Sequence, residues 1–168
     1  MANPRILKNF NLFVDGRGFA GVIDELELPE LSINTVEHRA GGMDGTIEID
    51  MGQEAMEANF TLAEYDPETL ALWGLSDGNA VQLTARGAMQ RDGEEVIPVK
   101  VNFRGHVKVL GQGTWTAGEK VGPEFTVGVR YYKHEVNGTV IIEIDVENMK
   151  RIVNGKDQLE GIRNAIGV

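Results

Sequence analysis

The sequence predicts a mainly β fold: an antiparallel β-sandwich or barrel with one short internal α-helix, a long protruding β-hairpin and a short C-terminal helix. Apolar and polar residues alternate with a period of two along most of the 168 residues, which is typical of half-buried strands. Asp-Gly and Asn-Gly pairs separate several of these stretches and favour tight hairpin turns. No repeat, low-complexity tract or linker divides the chain. We therefore expect a single domain over residues 1–168.

The alternation places the strands, and dipeptides such as Asn137-Gly138 mark the turns between them. In the segment that begins at Glu54, the apolar side chains share one face, which we expect to be buried: Met56, Ala58, Phe60 and Leu62. Besides the protruding hairpin, strands are predicted over residues 7–14, 19–28, 54–62, 81–90, 95–109, 125–136 and 139–146.

Two helices are predicted. Asp66 is a suitable N-cap, Pro67 suits the first helical position, and Gly74 can end the helix. Its buried side is expected to consist of Leu70, Leu72 and Trp73. A second, C-terminal helix is expected over residues 157–165, within a C-terminal segment that runs from 148 to 168.

The protruding hairpin is predicted over residues 31–51 and is the most informative segment. A glycine-rich tip, Gly41–Gly45, joins two extended arms. In the second arm Ile47, Ile49 and Met51 alternate with Thr46, Glu48 and Asp50. Two-stranded arms of this kind are marginally stable alone in water. We therefore expect the arm to find its partner on another subunit, which points to assembly rather than to chemistry.

Composition excludes several classes of function. The net charge is −10, with 16 basic and 26 acidic residues, so specific nucleic-acid binding through phosphate contacts is not expected. The absence of cysteine excludes disulfides and thiolate metal sites. No apolar run reaches the length of a membrane span, and the N-terminal residues lack a signal-peptide core. We expect a soluble protein that is not exported by that route and does not bind membranes.

One predicted strand has two chemically distinct faces. The apolar face consists of Val99, Val101, Phe103, Val107 and Val109, and the basic face of Lys100, Asn102, Arg104, His106 and Lys108. Other strands carry acidic faces, with Glu143 and Asp145 in the last one. These are either solvated faces of a half-buried sheet or complementary surfaces of neighbouring subunits, and the two interpretations are compatible.

Two segments match enzyme motifs in residue pattern but not in the secondary structure predicted around them. Residues 16–21 fit GxGxxG, but alternation and Pro29 follow where a dinucleotide site needs a helix. Residues 74–78 fit GxSxG, but in the order helix, turn, strand rather than strand, turn, helix. His38, His106 and His134 have no metal-binding spacing and are expected at a surface or interface. The loop around Trp115 could hold a ligand or pack at an oligomer seam. We expect no enzyme activity, cofactor or metal.

Three blocks of sequence carry a family resemblance: NLFVDGRGFAG followed by LELPEL, then HRAGGMDGTIEIDMGQEAMEANF, and finally VNGTVIIEIDVENMKRIVNGKDQLEGIRNAIG. In their order and placement they resemble the major tail tube protein of contractile-tailed bacteriophages and the similar tube protein of R-type bacteriocins. The segment from Ala80 to Gly122 matches only loosely.

The resemblance implies a structural protein of the virion tail or bacteriocin particle, assembled in the bacterial host cytoplasm. Six subunits would form a ring, and rings would stack into a hollow helical tube with a β-sheet-lined bore. The partners implied are a surrounding sheath protein, baseplate and tail terminator proteins at the ends, and DNA or a tape-measure protein passing through the lumen. The tube would conduct DNA in a phage or puncture a membrane in a bacteriocin.

The resemblance also suggests site residues. The hairpin would reach the adjacent ring through Arg39, Gly41, Gly42, Met43, Asp44, Gly45, Ile47, Ile49 and Met51. The segments 4–13 and 148–168 would support neighbouring contacts. We further hypothesise that acidic residues line the bore and keep DNA from adhering: Glu48, Asp50, Glu143 and Asp145. The alternative function is a ligand- or carbohydrate-binding β-sandwich that forms a discrete oligomer.

Overall fold

The computed structural model describes residues 3–76 and 78–168 and confirms the mainly β fold. The helices are α1 (Pro67–Leu70) and α2 (Glu160–Ile166). The strands are β1 (Ile6–Val14), β2 (Arg17–Gly18), β3 (Ile23–Glu27), β4 (Ile33–His38), β5 (Ile47–Gln53), β6 (Met56–Leu62), β7 (Val81–Gln90), β8 (Ile97–Gly111), β9 (Glu124–Val136), β10 (Thr139–Asp145), β11 (Lys150–Val153) and β12 (Lys156–Asp157).

The main sheet is antiparallel and is organised around β9. One edge of β9 pairs with β8 along its length. The other edge pairs first with β6, over Glu124–Val129, and then with β10, over Tyr131–Val136. Outward from this centre the sheet runs through β7, β1 and β2 on one side and through β11 and β12 on the other, while β3 pairs with β6. The hairpin β4–β5 is a separate two-stranded sheet.

The core lies between the inner faces of these strands. In β6 the predicted face is buried at each alternate position, and Phe60 stacks on Phe125 with ring centroids 4.7 Å apart. Burial of each such side chain stabilises the fold by about 1.5–3 kcal/mol. The other buried apolar residues include Leu12, Leu83, Val101, Phe103, Val127 and Ile144.

Two β-bulges change the faces that simple alternation predicts. The register between β8 and β9 shifts between Val107 and Val109. Val109, which we placed on the apolar face, is therefore 51% exposed, whereas Leu110 packs against the core. In β9, Arg130 is skipped in the pairing with β6, β8 and β10. Val129 and Tyr132 therefore both point inward, although they are three residues apart.

The helices and some strands differ from the predictions. Asp66 caps α1 as expected, but the helix ends at Leu70, and Trp73 is 54% exposed rather than buried. The indole of Trp73 instead donates a hydrogen bond to the Lys108 carbonyl at 3.1 Å. β3 is shorter than predicted because hydrogen-bonded turns occupy residues 19–23. The hairpin β11–β12 precedes α2 where a helix was predicted to start, although its Asn154-Gly155 turn was a visible signal.

The enzyme-like motifs fold as turns and short strands, as expected. Residues 16–21 contain the two-residue strand β2 and a turn, and no helix follows them. Residues 74–78 lie between α1 and β7. Asp77, within that second motif, lies outside the described residues.

Candidate assembly surfaces

The hairpin β4–β5, hereafter the arm, exposes apolar side chains on one face. In its register Val36 lies opposite Ile49, and His38 lies opposite Ile47. The apolar residues of this face are between 43% and 59% exposed: Val36, Ile47, Ile49 and Met51. Such a row is unusual on the surface of a monomer and is typical of an interaction site.

The opposite face of the arm is acidic. Glu37 lies directly opposite Glu48, and Thr35 lies opposite Asp50. Like charges directly across two strands destabilise a hairpin. Within the described part of the chain neither Glu37 nor Glu48 has an ion-pair partner. Glu37 and Glu48 are therefore electrostatically uncompensated in the single subunit.

The arm is tied to the main sheet near its base. The Arg151 guanidinium contacts the Asp50 carboxylate at 3.0 Å. A hydrogen bond from the Gly52 amide, 2.8 Å long, together with Arg151, lowers the pKa of Asp50. Gly52 has a φ of +105° and lies where the register between β4 and β5 shifts. A glycine is favoured at such a bulge because other side chains are strained at positive φ.

The tip of the arm is a closed turn. The Met43 amide donates a hydrogen bond to the Ala40 carbonyl at 3.2 Å, and the Arg39 Nε donates to the Met43 carbonyl at 3.4 Å. Gly42 has a φ of +86°. Met43 is partly buried against the turn, while the remaining predicted tip residues, Gly41, Gly42, Asp44 and Gly45, are exposed.

A groove of about 910 Å³ lies between the base of the arm, the end of β10 and the start of α2. Its lining includes Met56, Val129 and Ile144 from the core, and Met149, Leu159 and Ile162 from the C-terminal segment. The groove opens where β9 changes its partner from β6 to β10. The core side chains Met56, Val129 and Ile144 stay buried beneath it, at 2–6% exposure.

Helix α2 is held at the groove by polar contacts. Arg163 forms an ion pair with Asp157 at 2.6 Å and donates a hydrogen bond to the Met149 carbonyl at 2.9 Å. The hydrogen bond from Arg163 lowers the pKa of Asp157. All of α2 is described and none of its residues is buried; Ile162 and Ile166 are 52% and 60% exposed. The helix thus presents an apolar stripe without a partner in this chain.

The outer face of the main sheet is polar and internally paired. The Tyr131 hydroxyl donates to the Glu143 carboxylate at 2.9 Å, and burial together with this carboxylate raises the pKa of Tyr131 to about 12. The Arg104 guanidinium lies 4.9 Å above the Tyr131 ring. Lys108 pairs with Glu57. The basic strand β8 and the acidic strand β10 flank β9 in one subunit. Part of the charge complementarity expected between subunits is thus satisfied within one.

The four acidic bore candidates do not form one cluster. Glu48 and Asp50 are on the arm, whereas Glu143 and Asp145 are on β10 in the main sheet. Asp145 accepts hydrogen bonds from Asn148, which fixes the turn after β10. Glu48 remains exposed.

The histidines occupy three separate environments. His38 is on the arm and His106 is exposed on β8. His134, expected at a surface or interface, instead lines an apolar cavity of about 330 Å³ at one end of the core. Its Nδ1 lies 3.0 Å from the Tyr132 hydroxyl, and burial lowers the pKa of its imidazole. The skipped residue Arg130 explains the difference, because it reverses which face of β9 points inward.

The remaining candidates concern metal binding, the loop around Trp115 and membrane insertion. Within residues 3–76 and 78–168, no three His, Cys, Asp or Glu side chains are grouped as a metal site. Trp115 is 81% exposed and donates a hydrogen bond to the Tyr65 hydroxyl at 3.0 Å. In the same residues, neither helix has the length and apolar character required to cross a bilayer.

The fold matches that of proteins in contractile injection machines. A chain of the sheath–tube complex of the PVC extracellular contractile injection system superposes with a TM-score of 0.61 at 13% identity. The match covers 79% of this chain and 91% of that one. A chain of the anti-feeding prophage baseplate gives a TM-score of 0.54 at 12% identity, covering 83% and 100% respectively. The class defined by the fold is the tail tube type.

The sequence comparisons then define the family. Residues 4–167 match the family of phage tail tube protein FII, and the chain belongs to that family. It is 32% identical to the tail tube protein of Escherichia phage P2, over the full length of both chains. It is 27% identical to the major tail tube protein of Serratia phage KSP20, covering 94% of this chain and 92% of the relative. The protein is therefore a structural tail tube protein of the contractile-tail type, a component of the virion tail.

Proposed function

We propose that the chain is the repeating subunit of a hollow tube built from stacked six-membered rings, in which the arm of each subunit contacts the adjacent ring. The observation that carries the proposal is the arm itself. Its apolar face is exposed, Glu37 and Glu48 on its acidic face are uncompensated, and it forms a sheet apart from the main one. An element with these properties gains stability when another molecule covers it.

Stacking through the arm explains why a tube rather than a discrete oligomer is formed. A contact between the arm on one subunit and a different surface on the next is heterologous, and heterologous contacts that do not close produce filaments. Many modest contacts, repeated around each ring, add up to a strong attachment.

The proposed partners follow from the family and the fold. The PVC and anti-feeding prophage chains come from a sheath–tube complex and a baseplate, and a further match comes from a sheath/tube terminator. We therefore propose a sheath around this tube, a baseplate and a terminator at its ends, and assembly in the host cytoplasm. No catalytic step is proposed.

An acidic bore remains part of the proposal. The net charge of −10 and the exposed Glu48 support a surface that repels the DNA backbone within about 8 Å at physiological salt. Glu143 and Asp145 support it less strongly because Tyr131 and Asn148 engage their carboxylates. The tube would conduct DNA or a tape-measure protein without binding either specifically.

Arm variants test the proposal. Replacing Ile47 and Ile49 together by Asp should raise the concentration needed for tube formation at least tenfold, because two charges would enter an apolar contact. Negative-stain electron microscopy over a concentration series measures the tubes, and circular dichroism monitors the subunit fold.

The matched control is Val96→Asp, because Val96 is 53% exposed between β7 and β8. This variant should form tubes like the unmodified protein. Tubes that form undiminished from the double arm variant would show that the arm is not the contact. Loss of the subunit fold would show that the arm belongs to the core.

A further inference from the structure

The base of the arm is loosely packed against the main sheet. A cavity of about 170 Å³ lies between Ile33 at the base and Ile142 and Val153 of the sheet, and the groove of about 910 Å³ adjoins the same base. Gln53 lines both spaces, and its Nε2 is buried without a hydrogen-bond partner among the described residues. Empty space removes dispersion contacts, and an unpaired buried amide is unfavourable. Packing therefore does little to fix the angle of the arm.

The backbone at the base permits a change of angle. The Glu54 amide donates a hydrogen bond to the Ser32 carbonyl at 2.9 Å, which holds the two connecting segments side by side. Just inside this hydrogen bond, Gly52 with its φ of +105° lies at the register shift between β4 and β5. Bulges bend a strand, and hinges consist of a few residues at the ends of elements. These residues can therefore act as a hinge for the arm.

A single ion pair bridges the arm and the main sheet. The Arg151 guanidinium on β11 contacts the Asp50 carboxylate at 3.0 Å, and the Arg151 side chain is only 17% exposed. Across residues 3–76 and 78–168, no other ion pair or side-chain hydrogen bond joins the arm to that sheet. Asp50 lies on the arm side of Gly52, so the pair resists rotation about the hinge.

The ion pair also sets the direction in which the arm faces. Successive side chains of a strand point to opposite faces, so Asp50 lies on the face opposite to Ile47, Ile49 and Met51. Because Arg151 holds Asp50 towards β11, these three apolar side chains point away from the subunit and are 43–59% exposed. Burial of apolar surface is favourable. An arm free to pivot would therefore turn this row onto its own subunit.

We propose that the Asp50–Arg151 pair is a latch, which holds a pivoting arm with its apolar row outward until another copy of the chain binds it. This inference rests on the proposed function and adds the device that keeps the arm available in the free subunit. An arm that leaves the outward position cannot contact the next ring. The apparent affinity for assembly then falls in proportion to the fraction of subunits whose arm points outward.

Distances between two spin labels test the latch in free subunits, from which any tubes have been removed by centrifugation. The chain contains no cysteine, so the labels can be attached to Asp44→Cys at the tip and Gln82→Cys on β7, which are both exposed positions. The distance distribution should become about twice as broad in Asp50→Asn, because the arm then populates several angles. Asparagine keeps an oxygen that can accept the Gly52 hydrogen bond, so the variant removes the charge pair alone.

The matched control is Glu48→Gln, which removes a charge from the same face of the same strand and should leave the distribution unchanged. Arg151→Gln should broaden the distribution as much as Asp50→Asn does. The double variant should broaden it no further, because both substitutions remove one and the same pair. A distribution in Asp50→Asn as narrow as in the labelled parent, or equal broadening in Glu48→Gln, overturns the latch.

Assembly of the unlabelled proteins provides the second measurement. Asp50→Asn should raise the concentration needed for tubes in negative-stain electron microscopy about fivefold, and Glu48→Gln should not raise it. An unchanged or lower concentration for Asp50→Asn overturns the role of the latch in assembly. Failure of the unmodified protein to form tubes overturns the proposed function, whereas the distances in free subunits decide by themselves whether the pair fixes the arm.

Discussion

At the scale of single residues, Asp66 combines three interactions in a largely buried carboxylate. It accepts hydrogen bonds from the Thr69 amide at 2.9 Å and the Thr69 hydroxyl at 2.6 Å. It also pairs with Arg17 at 3.0 Å. The hydrogen bonds from Thr69, followed by Arg17, lower the pKa of Asp66 below its ordinary value of 3.8. One side chain thus caps α1 and attaches it to the turn after β1.

Asp66→Ala should destabilise the subunit by about 2 kcal/mol, because it removes an N-cap and leaves buried donors unpaired. Asp66→Asn keeps a capping oxygen and should cost about half as much. The stabilisation from the Asp66 charge is present above pH 3.8 and is lost as the pH falls through the lowered pKa of the folded state. Urea unfolding between pH 3 and 7 measures this, and a pH dependence in Asp66→Asn equal to the unmodified protein's would contradict it.

Gly105 is required by the close approach of β8 and β9. A Cβ at this position would lie 1.9 Å from the Gly128 carbonyl oxygen. Gly105→Ala should therefore destabilise the fold by about 3 kcal/mol or more, since backbone must move. Gly111→Ala is the matched control in the same strand, where a Cβ meets Glu124 at an ordinary 3.7 Å. Thermal unfolding of both variants checks this, and equal melting temperatures would refute the prediction.

At the scale of elements, an arginine ties each of β4–β5 and α2 to the rest of the subunit, and most residues of both elements are exposed. Arg151 holds the arm through Asp50, and Arg163 holds the helix through Asp157 and the Met149 carbonyl. Elements with little buried apolar surface open at low free-energy cost. Both can therefore adjust when a neighbouring subunit binds.

Arg163→Gln should release α2 while the main sheet remains folded. Hydrogen exchange in the free subunit should then accelerate in residues 160–166 and stay unchanged in β7–β9. The Asp157 interaction is present above the ordinary Asp pKa of 3.8 and disappears as the pH falls through the lowered value. If amide hydrogen exchange in residues 160–166 is the same in Arg163→Gln as in the unmodified protein, other contacts hold the helix.

At the scale of the whole molecule, the sheet surrounds a mainly apolar interior, with two titratable side chains at one end. There His134 lines the cavity of about 330 Å³, and its Nδ1 lies 3.0 Å from the Tyr132 hydroxyl. Burial lowers the pKa of His134 and raises that of Tyr132. The interior thus favours the neutral forms of both side chains, and protonation of His134 would place a charge beside the core.

The stability of the subunit should therefore decline as the pH falls below 6.5. The unfolded chain takes up a proton at His134 near pH 6.5, whereas the folded state resists it until a lower pH. His134→Gln should remove the decline that lies between these two pKa values. Urea unfolding from pH 4.5 to 7.5 measures it, with His38→Gln on the arm as the control. If the stability of His134→Gln still declines over this pH range, another titratable group causes the decline.

Much of the architecture could be predicted because its signals are local. Alternation located β6 and β7 to within two residues, and Asn137-Gly138 placed the turn between β9 and β10, where both residues have positive φ. Asp66-Pro67 marked the start of α1. The face of His134 and the exposure of Val109 could not be predicted, since one skipped residue in a ladder exchanges the two faces of a strand.

The sequence by itself determined the β character, the arm, the N-cap of α1 and the family, because period, turn chemistry and residue order are properties of the chain. Only the tertiary structure decided that β9 changes partners at Arg130, which opens the groove beside α2. Likewise, it was the three-dimensional pairing that set Glu37 opposite Glu48 and brought the acidic β10 beside Tyr131 and Lys133 of β9. Strand pairing joins residues that are distant in the chain, and no local pattern specifies which edges meet.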